Sequence, residues 1–297
     1  METTKTIFIL NPVSGFFKFR RKKAERIIKK YLQQNKIAGE IRYSQYAGHT
    51  SAIVREALEE GFRKIVISGG DGTINEAASQ LVETEAVLGI IPSGSGNGLA
   101  RCLHLPFSIQ KALNSIIKEH YQNYDVLKIN DTYIFSIAGI GLDARIANRY
   151  KRMKMRGFIS YLCATVIEYF KENDETITLT TEEGVHELDT VMTIFANSNQ
   201  FGYNFRIAPQ ASPADGYVDI VAIRKMPLHT LPRSLWKIFS GKGDRLPHTQ
   251  AFKVSESEIH CEKELLLNID GDPQIFPNRL SIKVLHSALK IITPKKK

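Results

Sequence analysis

The chain has 297 residues, a mass of 33.5 kDa and a formal net charge of +9. Its 43% apolar and 24% charged residues are globular values, which exclude a disordered, collagen-like or coiled-coil chain. No apolar run approaches the roughly 18 residues of a membrane-spanning helix, and the first residues do not resemble a signal peptide. We expect two domains or one large one, and the positive charge predicts attraction to an anionic nucleotide, nucleic acid or membrane face.

The first 125 residues alternate strand and helix patterns. Apolar strands and amphipathic helices are predicted in this order: strand 6–10, helix 20–34, strand 39–43, helix 50–61, strand 64–68, helix 74–82 and strand 87–91. This alternation predicts a parallel sheet in a doubly wound α/β layer.

The pattern changes after about residue 125. Strands are predicted at 126–129, 133–138, 176–181, 188–196, 218–223, 251–254, 259–261, 265–269 and 280–284. Two helical stretches run through Tyr169, and another covers 228–239. Short strands at this spacing predict an antiparallel β-sandwich or barrel-like sheet over 126–285, and we expect the tail of about 286–297 to pack back on the domain of residues 1–125.

Three glycine-bearing turns each follow a predicted strand of the first domain. They are residues 11–15 (NPVSG), 69–73 (GGDGT) and 92–98 (PSGSGNG). In a parallel sheet these turns share one edge, where backbone N–H groups and helix N-termini favour phosphate. Neither GxxxxGK[ST] nor GxGxxG after the first strand is present, which disfavours a P-loop or a Rossmann site. Asp71 is unusual among them, because a carboxylate in a phosphate cradle needs a metal or a proton-transfer role to offset its repulsion of phosphate. The alternative is an Asp that forms the turn or caps the helix N-terminus.

These motifs, with Asn75 and Glu76 after the second turn, resemble the diacylglycerol kinase catalytic-domain family over nearly the whole chain. The resemblance implies an α/β nucleotide-binding domain like that of NAD kinase and phosphofructokinase, followed by a β-rich lipid-binding domain. It also implies ATP and Mg²⁺ as cofactors and transfer of the γ-phosphoryl group to a lipid hydroxyl. Diacylglycerol and sphingoid bases are both candidate acceptors. Many bacterial diacylglycerol kinases have Asp after Asn97, whereas Gly98 here looks closer to sphingosine kinases.

The resemblance assigns the nucleotide site residue by residue. The implied nucleotide-binding residues are Asn11, Pro12, Ser14, Gly15, Ser44, Gly69, Gly70, Asp71, Gly72, Thr73, Ser95 and Asn97. A structural magnesium is implied at the segment 208–219, with Asp215 and backbone oxygens near Ser212 and Tyr217 as ligands. A plain Asp-Gly turn is the alternative there.

Asn268-Ile269-Asp270-Gly271-Asp272 resembles the family's Asp-Gly-Glu pattern, with Asp272 in place of Glu. The resemblance implies a general base and a magnesium contact from this pair, and it leaves Asp270 and Asp272 unranked. Together with Asp71 they are the candidate catalytic residues. A simple hairpin is the alternative, because Asp-Gly favours a type I′ turn.

Two basic stretches predict a cytoplasmic enzyme that associates with an anionic membrane. Residues 16–30 and 145–156 interleave Lys and Arg with aromatic or Met side chains, including Tyr150 and Met153. A solvated helix face is the alternative for each. The three cysteines are too few and too scattered for a disulfide framework or a zinc site, which fits a reducing cytosol.

Two other functions compete with the lipid kinase. A NAD kinase or other small-molecule kinase would share the GGDGT loop. A non-catalytic basic binding protein belongs to another class, but the sequence has no helix-turn-helix, zinc or RRM signature, so no nucleic-acid partner is expected. The sequence leaves the oligomeric state open, a homodimer included.

Overall fold

The computed structural model describes residues 5–12, 20–35, 37, 39–94, 96–153, 157–171, 174–199, 207–243 and 246–295. The chain divides into two compact units. Unit 1 holds residues 1–124 and 287–297, and unit 2 holds residues 125–286. Strands β5 (Tyr121–Ile129) and β16 (Arg279–Ile292) carry the chain from one unit into the other.

Unit 1 is a parallel α/β layer. Its elements are β1 (Thr6–Leu10), α1 (Arg20–Gln34), β2 (Gly39–Tyr43), α2 (His49–Glu59), β3 (Lys64–Gly69), α3 (Asp71–Ser79), β4 (Val87–Pro92), α4 (Gly98–Cys102) and α5 (Ile109–Ile117). The strand order is β2-β1-β3-β4, all parallel, and the C-terminal end of β16 adds a further parallel strand beside β4. The predicted doubly wound α/β class is therefore confirmed.

Apolar runs explain these strands. All five residues of β1 and all six of β3 are buried, as expected for strands covered on both faces by helices. One core cluster joins strand residues such as Phe8 and Val66 to Ile28 of α1 and Leu113 of α5. Helix α5 was not predicted, although Ala112, Leu113 and Ile116 share its buried face.

Unit 2 contains two antiparallel sheets. Besides parts of β5 and β16, its elements are β6 (Thr132–Ile134), β7 (Ile137–Gly141), α6 (Leu142–Arg152), α7 (Phe158–Tyr169), β8 (Glu175–Thr181), β9 (Gly184–Thr190), β10 (Met192–Ala196), β11 (Val218–Ile223), a 3₁₀-helix (Leu228–Thr230), α8 (Leu231–Phe239), β12 (Thr249–Val254), β13 (Glu256–Cys261), β14 (Leu265–Ile269) and β15 (Asp272–Phe276). One sheet runs β12-β11-β10-β7-β14-β15, and the other runs from β16 through β13 and β8 to β9.

Both sheets contribute apolar side chains to one core. Ile140, Phe195 and Leu267 from the first sheet join Leu179 and Ile259 from the second. The predicted β-sandwich class is confirmed. Among the described residues, no helix is both long and apolar enough to cross a membrane.

Two predicted strands are divided in the structure. The strand expected at 133–138 is split into β6 and β7, because the amides of Phe135, Ser136 and Ile137 turn to bind the side chain of Asp270. The strand expected at 188–196 is divided between β9 and β10 at Val191, whose carbonyl accepts a hydrogen bond from the amide of Leu142.

Candidate active site

The glycine turns of unit 1 lie at the carboxyl ends of parallel strands. Asn11 follows β1, and its side-chain amide donates to Thr73 Oγ1 over 2.7 Å. Ser44 follows β2, where it is buried and its amide donates to the carbonyl of Leu10. Ser93 follows β4, and its amide donates to the carbonyl of Gly69. The structure therefore brings the predicted loops together at one edge of the sheet, as the parallel arrangement requires.

The main chains of the second and third glycine turns lie in close contact. A Cβ atom on Gly94 would stand 2.5 Å from the Cα of Gly70, so a side chain at position 94 would force the turns apart. Gly69 is restricted in a similar way, since its Cβ would lie 2.6 Å from the Cβ of Thr73. A Cβ on Gly72, by contrast, would meet no described atom within 4 Å, so this glycine faces open space. Glycine here permits close approach of the main chain, as a phosphate cradle needs.

Asp71 connects these two turns. It is the first residue of α3, and its carboxylate accepts hydrogen bonds from the amides of Asn97 (2.8 Å) and Gly98 (2.7 Å). Burial raises the pKa of Asp71, while the two amides and the nearby Arg101 oppose that rise. Both carboxylate oxygens thus bind loop amides, and Asp71 fixes the shape of the third turn.

Asn97 shapes the third turn from within. Its backbone is left-handed, with φ of 55°, and its side chain exchanges two hydrogen bonds with the backbone of Gly94. Asn tolerates this conformation better than most residues. The predicted contacts Ser14, Gly15 and Ser95 lie outside the described residues, and Pro12 forms a half-buried turn after β1.

Glu76, three residues after the GGDGT turn, forms hydrogen bonds with the start of another helix. Both carboxylate oxygens of Glu76 accept backbone amides at the start of α2, from Gly48 (2.8 Å) and Thr50 (3.2 Å). Glu76 therefore ties α3 to the N-terminus of α2, because a carboxylate satisfies amides that have no acceptor inside the helix.

A second acidic cluster lies in unit 2 at the turn between β14 and β15. Asp270 and Gly271 both have positive φ, 49° and 97°, as a type I′ turn requires. The Asp270 carboxylate accepts hydrogen bonds from the amides of Phe135 (2.9 Å), Ser136 (2.8 Å) and Ile137 (3.0 Å). The hairpin is real, and it also holds a carboxylate in a fixed orientation.

Asp272 differs from Asp270 in its surroundings. It begins β15, its side chain is 56% exposed, and it pairs with Lys151 Nζ at 2.5 Å. A surface pair of this kind holds its partners weakly. Asp272 is therefore more accessible and less constrained by hydrogen bonds than Asp270.

Two residues behind this turn were not predicted as functional. Asn268 accepts a hydrogen bond from the amide of Gly271 (3.0 Å) and donates one to Asp143 Oδ2 (2.8 Å). Asp143 is buried in the first turn of α6, and burial raises its pKa to about 6 although the Asn268 hydrogen bond opposes the rise. A Cβ on Gly139 would stand 2.3 Å from Asp143 Oδ2, so the sequence signal was a glycine on β7 shortly before an acidic helix start.

The segment predicted to bind magnesium offers hard oxygen donors. Asp215 accepts a hydrogen bond from the amide of Tyr217 (3.1 Å) and pairs with Lys253 Nζ at 2.7 Å. Asp219 Oδ2 is buried and has no hydrogen-bond partner within the described chain. Burial raises the pKa of Asp219; Lys253 opposes the rise and Asp215 adds to it. These carboxylate oxygens are ligands that Mg²⁺ prefers. The Lys253 ammonium would have to move away from Asp215 for an ion to bind there.

The rest of the donor set is backbone. Across the described ranges, no three His, Cys, Asp or Glu side chains gather as a metal site, so carbonyl oxygens near Ser212 and Tyr217 would have to complete the coordination. The buried Asp125 supports this segment, since its carboxylate accepts the amide of Gly216 (2.7 Å) and meets His286 Nδ1 at 2.9 Å.

Comparison with known proteins matches both parts of the chain. The diacylglycerol kinase catalytic domain model matches residues 5–129, and the YegS C-terminal NAD kinase beta sandwich-like domain model matches residues 136–293.

Similar proteins extend over nearly the whole chain. A diacylglycerol kinase of Staphylococcus carnosus is 25% identical over 296 residues, covering 97% of this chain and 94% of the relative. An Alcanivorax borkumensis protein named "Probable lipid kinase YegS-like" is 27% identical over 263 residues, 86% of each chain.

Solved structures share the fold. The crystal structure of a diacylglycerol kinase from Bacillus anthracis superposes with a TM-score of 0.75 at 20% identity, covering 99% of this chain and 98% of that one. A second structure from the same organism gives a TM-score of 0.84 at 23% identity over 99% of both chains. The chain belongs to the diacylglycerol kinase catalytic-domain family, with a C-terminal β-sandwich domain of the YegS type.

Proposed function

We propose that this protein is a phosphotransferase that moves the γ-phosphoryl group of ATP to the hydroxyl group of a lipid, with diacylglycerol as the first candidate. The observation that supports it most is the pair of glycine turns joined by Asp71 in a kinase-family chain. ATP as donor follows from the family. Relatives named diacylglycerol kinase or lipid kinase support the choice of acceptor.

The glycine turns would bind the triphosphate through main-chain amides. The first amides of α3 have no acceptor within the helix and lie at its positive end. Gly72 leaves open space beside them. Since Asp71 already accepts two loop amides, we assign it a positioning role: it holds the third turn against the second so that other amides point toward phosphate oxygens.

Asp270 would accept the proton of the attacking hydroxyl. A carboxylate has about four acceptor positions, and three amides use most of those on Asp270. These hydrogen bonds fix its orientation. In a loose phosphoryl-transfer transition state, orientation matters more than base strength. Asp272, with a shorter side chain than the Glu of the family pattern, would supply the magnesium contact that the resemblance implies for this pair.

Bound Mg²⁺ would neutralise the negative charge of the side chains that hold it. Asp215, Asp219 and backbone oxygens near Ser212 and Tyr217 are the groups that would hold such an ion in unit 2. The acceptor is membrane lipid, so the enzyme would associate peripherally with an anionic membrane from the cytoplasm. The excess of 40 basic over 31 acidic residues supports that association.

A substrate panel tests the proposal. The purified chain is incubated with labelled ATP, Mg²⁺ and, separately, diacylglycerol, sphingosine, ceramide and NAD. We expect labelled lipid phosphate with diacylglycerol. Product with sphingosine alone would move the acceptor to a sphingoid base, and phosphorylated NAD without any lipid product would overturn the lipid-kinase proposal.

A further inference from the structure

Helix α7 has its apolar side chains on the outside. The exposed apolar side chains of this segment are Ile159 (73%), Leu162 (42%), Val166 (49%), Ile167 (46%) and Phe170 (65%). The spacing of three and four residues places them on one face. The buried positions of the helix include the polar Ser160 and Glu168. A water-facing helix normally shows the reverse arrangement, so this face suits an apolar environment.

Two ion pairs of the buried Glu168 hold this inverted orientation. The Glu168 carboxylate, 5% exposed, pairs with Arg149 of α6 and with Lys171, 3.1 Å away. Ala164, also inward, packs with Leu142 and Ile146 of α6. Rotating α7 to bury its apolar stripe would break both ion pairs of Glu168 and remove Ala164 from its contacts with α6. The exposed stripe is therefore a stable feature of the folded unit.

A basic cavity borders the same helix pair. It has a volume of about 420 Å³, and its lining includes Arg145, Arg149, Arg152 and Lys171, with Glu168 as the one acidic group among the lining residues that the structure describes. Arg145 also pairs with Glu175 at 3.4 Å. The lining keeps a surplus of positive charge after these pairings, so the cavity suits an anionic group the size of a phosphodiester.

We propose that the α7 face is the membrane-docking surface of this protein. Its apolar stripe enters the acyl region of an anionic bilayer, and the basic cavity receives a phospholipid headgroup. Charge complementarity selects this occupant, because a cationic pocket beside an apolar stripe matches an anionic headgroup beside acyl chains. This deepens the proposed function, which places the acceptor in that bilayer, but the docking step itself needs no catalysis.

The inserting residues differ from those that the basic stretch 145–156 suggested. Tyr150 and Met153 pack inward against the cluster around Leu142 and Ala164. Tyr150 also accepts a hydrogen bond from the amide of Gly157 (3.0 Å) and contacts the ring of Tyr161 edge-on. Insertion is thus assigned to α7, while α6 supplies the cations.

Vesicle sedimentation tests the surface directly. The full chain is mixed with vesicles of phosphatidylcholine alone or with added phosphatidylglycerol, over a range of salt. We expect binding to the anionic vesicles only. Replacing Ile159 and Phe170 with Ser should weaken it about a hundredfold or more, because each large apolar side chain contributes at least about tenfold on transfer from water. Arg152→Gln with Lys171→Gln should weaken it by about fivefold per charge and flatten its salt dependence.

Matched controls separate the surface from general effects. Val185→Ser with Ile275→Ser removes two equally exposed apolar side chains (69% and 74%) elsewhere in unit 2, and Lys263→Gln removes another exposed cation. Both should bind vesicles like the wild type. Asp270→Asn should also bind normally, because docking needs no catalysis. Vesicle binding by the wild type without phosphorylation of any lipid would refute the proposed function and leave docking intact.

Two results would overturn the docking proposal. One is vesicle binding that is unchanged in the variant with Ser at 159 and 170. The other is a wild-type dimer, seen by analytical ultracentrifugation, that the same variant dissociates while neither protein binds vesicles. A second copy of the chain would then cover the α7 face.

Discussion

Each unit contains an aspartate whose carboxylate binds backbone amides of a distant segment, but the two differ in what lies around them. Asp71 reaches 26 and 27 residues along the chain to Asn97 and Gly98, inside a packed edge of glycine turns. Asp270 reaches back 133 to 135 residues to three successive amides, from a hairpin tip whose Gly271 is exposed. Both carboxylates are half-buried. The same hydrogen-bond pattern therefore joins two turns in one unit and holds a carboxylate at a hairpin tip in the other.

An aspartate is therefore not catalytic merely because it belongs to a family motif. Burial raises the pKa of Asp71 and its two oxygens are taken up by the loop. The three amides on Asp270 instead aim a half-buried carboxylate beside the solvent-exposed Asp272. Removing each charge should affect different kinetic parameters, which gives a way to test the distinction.

The largest effect is expected for Asp270→Asn. Loss of a positioned proton acceptor should reduce kcat by about 10²–10⁴-fold with little change in the KM for ATP. Steady-state assays with labelled ATP measure both parameters. Asp272→Asn is the matched variant, and we expect only about a tenfold loss because Asp272 is paired at the surface. If Asp272→Asn is the more damaging of the two, the roles of the pair are reversed.

A somewhat smaller effect is expected when Asp71 loses its hydrogen bonds to the third glycine turn. Asp71→Asn leaves a loop amide without its acceptor, and a displacement of about 1 Å in the third turn can cost up to about 100-fold. We expect the loss chiefly as a raised KM for ATP, measured by titrating ATP at saturating lipid.

Glycine substitutions sharpen the same test without touching a charge. Gly96→Ala places a Cβ 2.7 Å from Asp71 Oδ2 and should imitate Asp71→Asn in direction. A loss in kcat alone, with the KM for ATP unchanged in both variants, would contradict a positioning role and favour direct participation of Asp71 in the chemistry.

The fold was predictable where one segment carries its own signal. Strands β3 and β4 read as contiguous apolar runs between turn residues, and the structure places them at 64–69 and 87–92. The break between β6 and β7 could not be predicted from residues 132–141, since its cause is the carboxylate of Asp270 more than 130 residues later. The expected single strand at 133–138 was wrong for that reason.

The site shows the same division between local and distant causes. Glycine and Asp placed the loops correctly at one sheet edge, because parallel strands end together. That Asp71 would bind the amides of Asn97 and Gly98 depends on how closely Gly70 and Gly94 approach, which no local pattern encodes. The outward face of α7 likewise depends on the pairing of Glu168 with Arg149.

The smallest effect on activity is expected at Asp143, which connects through Asn268 to the turn that carries Asp270. The main effect of Asp143 is on the pH dependence of the free energy of unfolding. Burial raises its pKa from 3.8 to about 6, so the folded state retains a proton that the unfolded state releases between those values. The contribution of Asp143 to the free energy of unfolding is therefore fully favourable below the lower value and falls by about 3 kcal/mol as pH rises through the higher one.

Asp143→Asn removes this titration while keeping the size of the side chain. We expect the stability of the variant relative to wild type to increase by about 3 kcal/mol between about pH 4 and pH 7, measured by urea unfolding followed by circular dichroism. Asp131→Asn, at a fully exposed site, should show no such trend. A flat difference for Asp143→Asn would mean that folding does not raise the pKa of this carboxyl. The turn that carries Asp270 would then be supported by an Asp143 carboxylate whose charge changes little between about pH 5 and about pH 7.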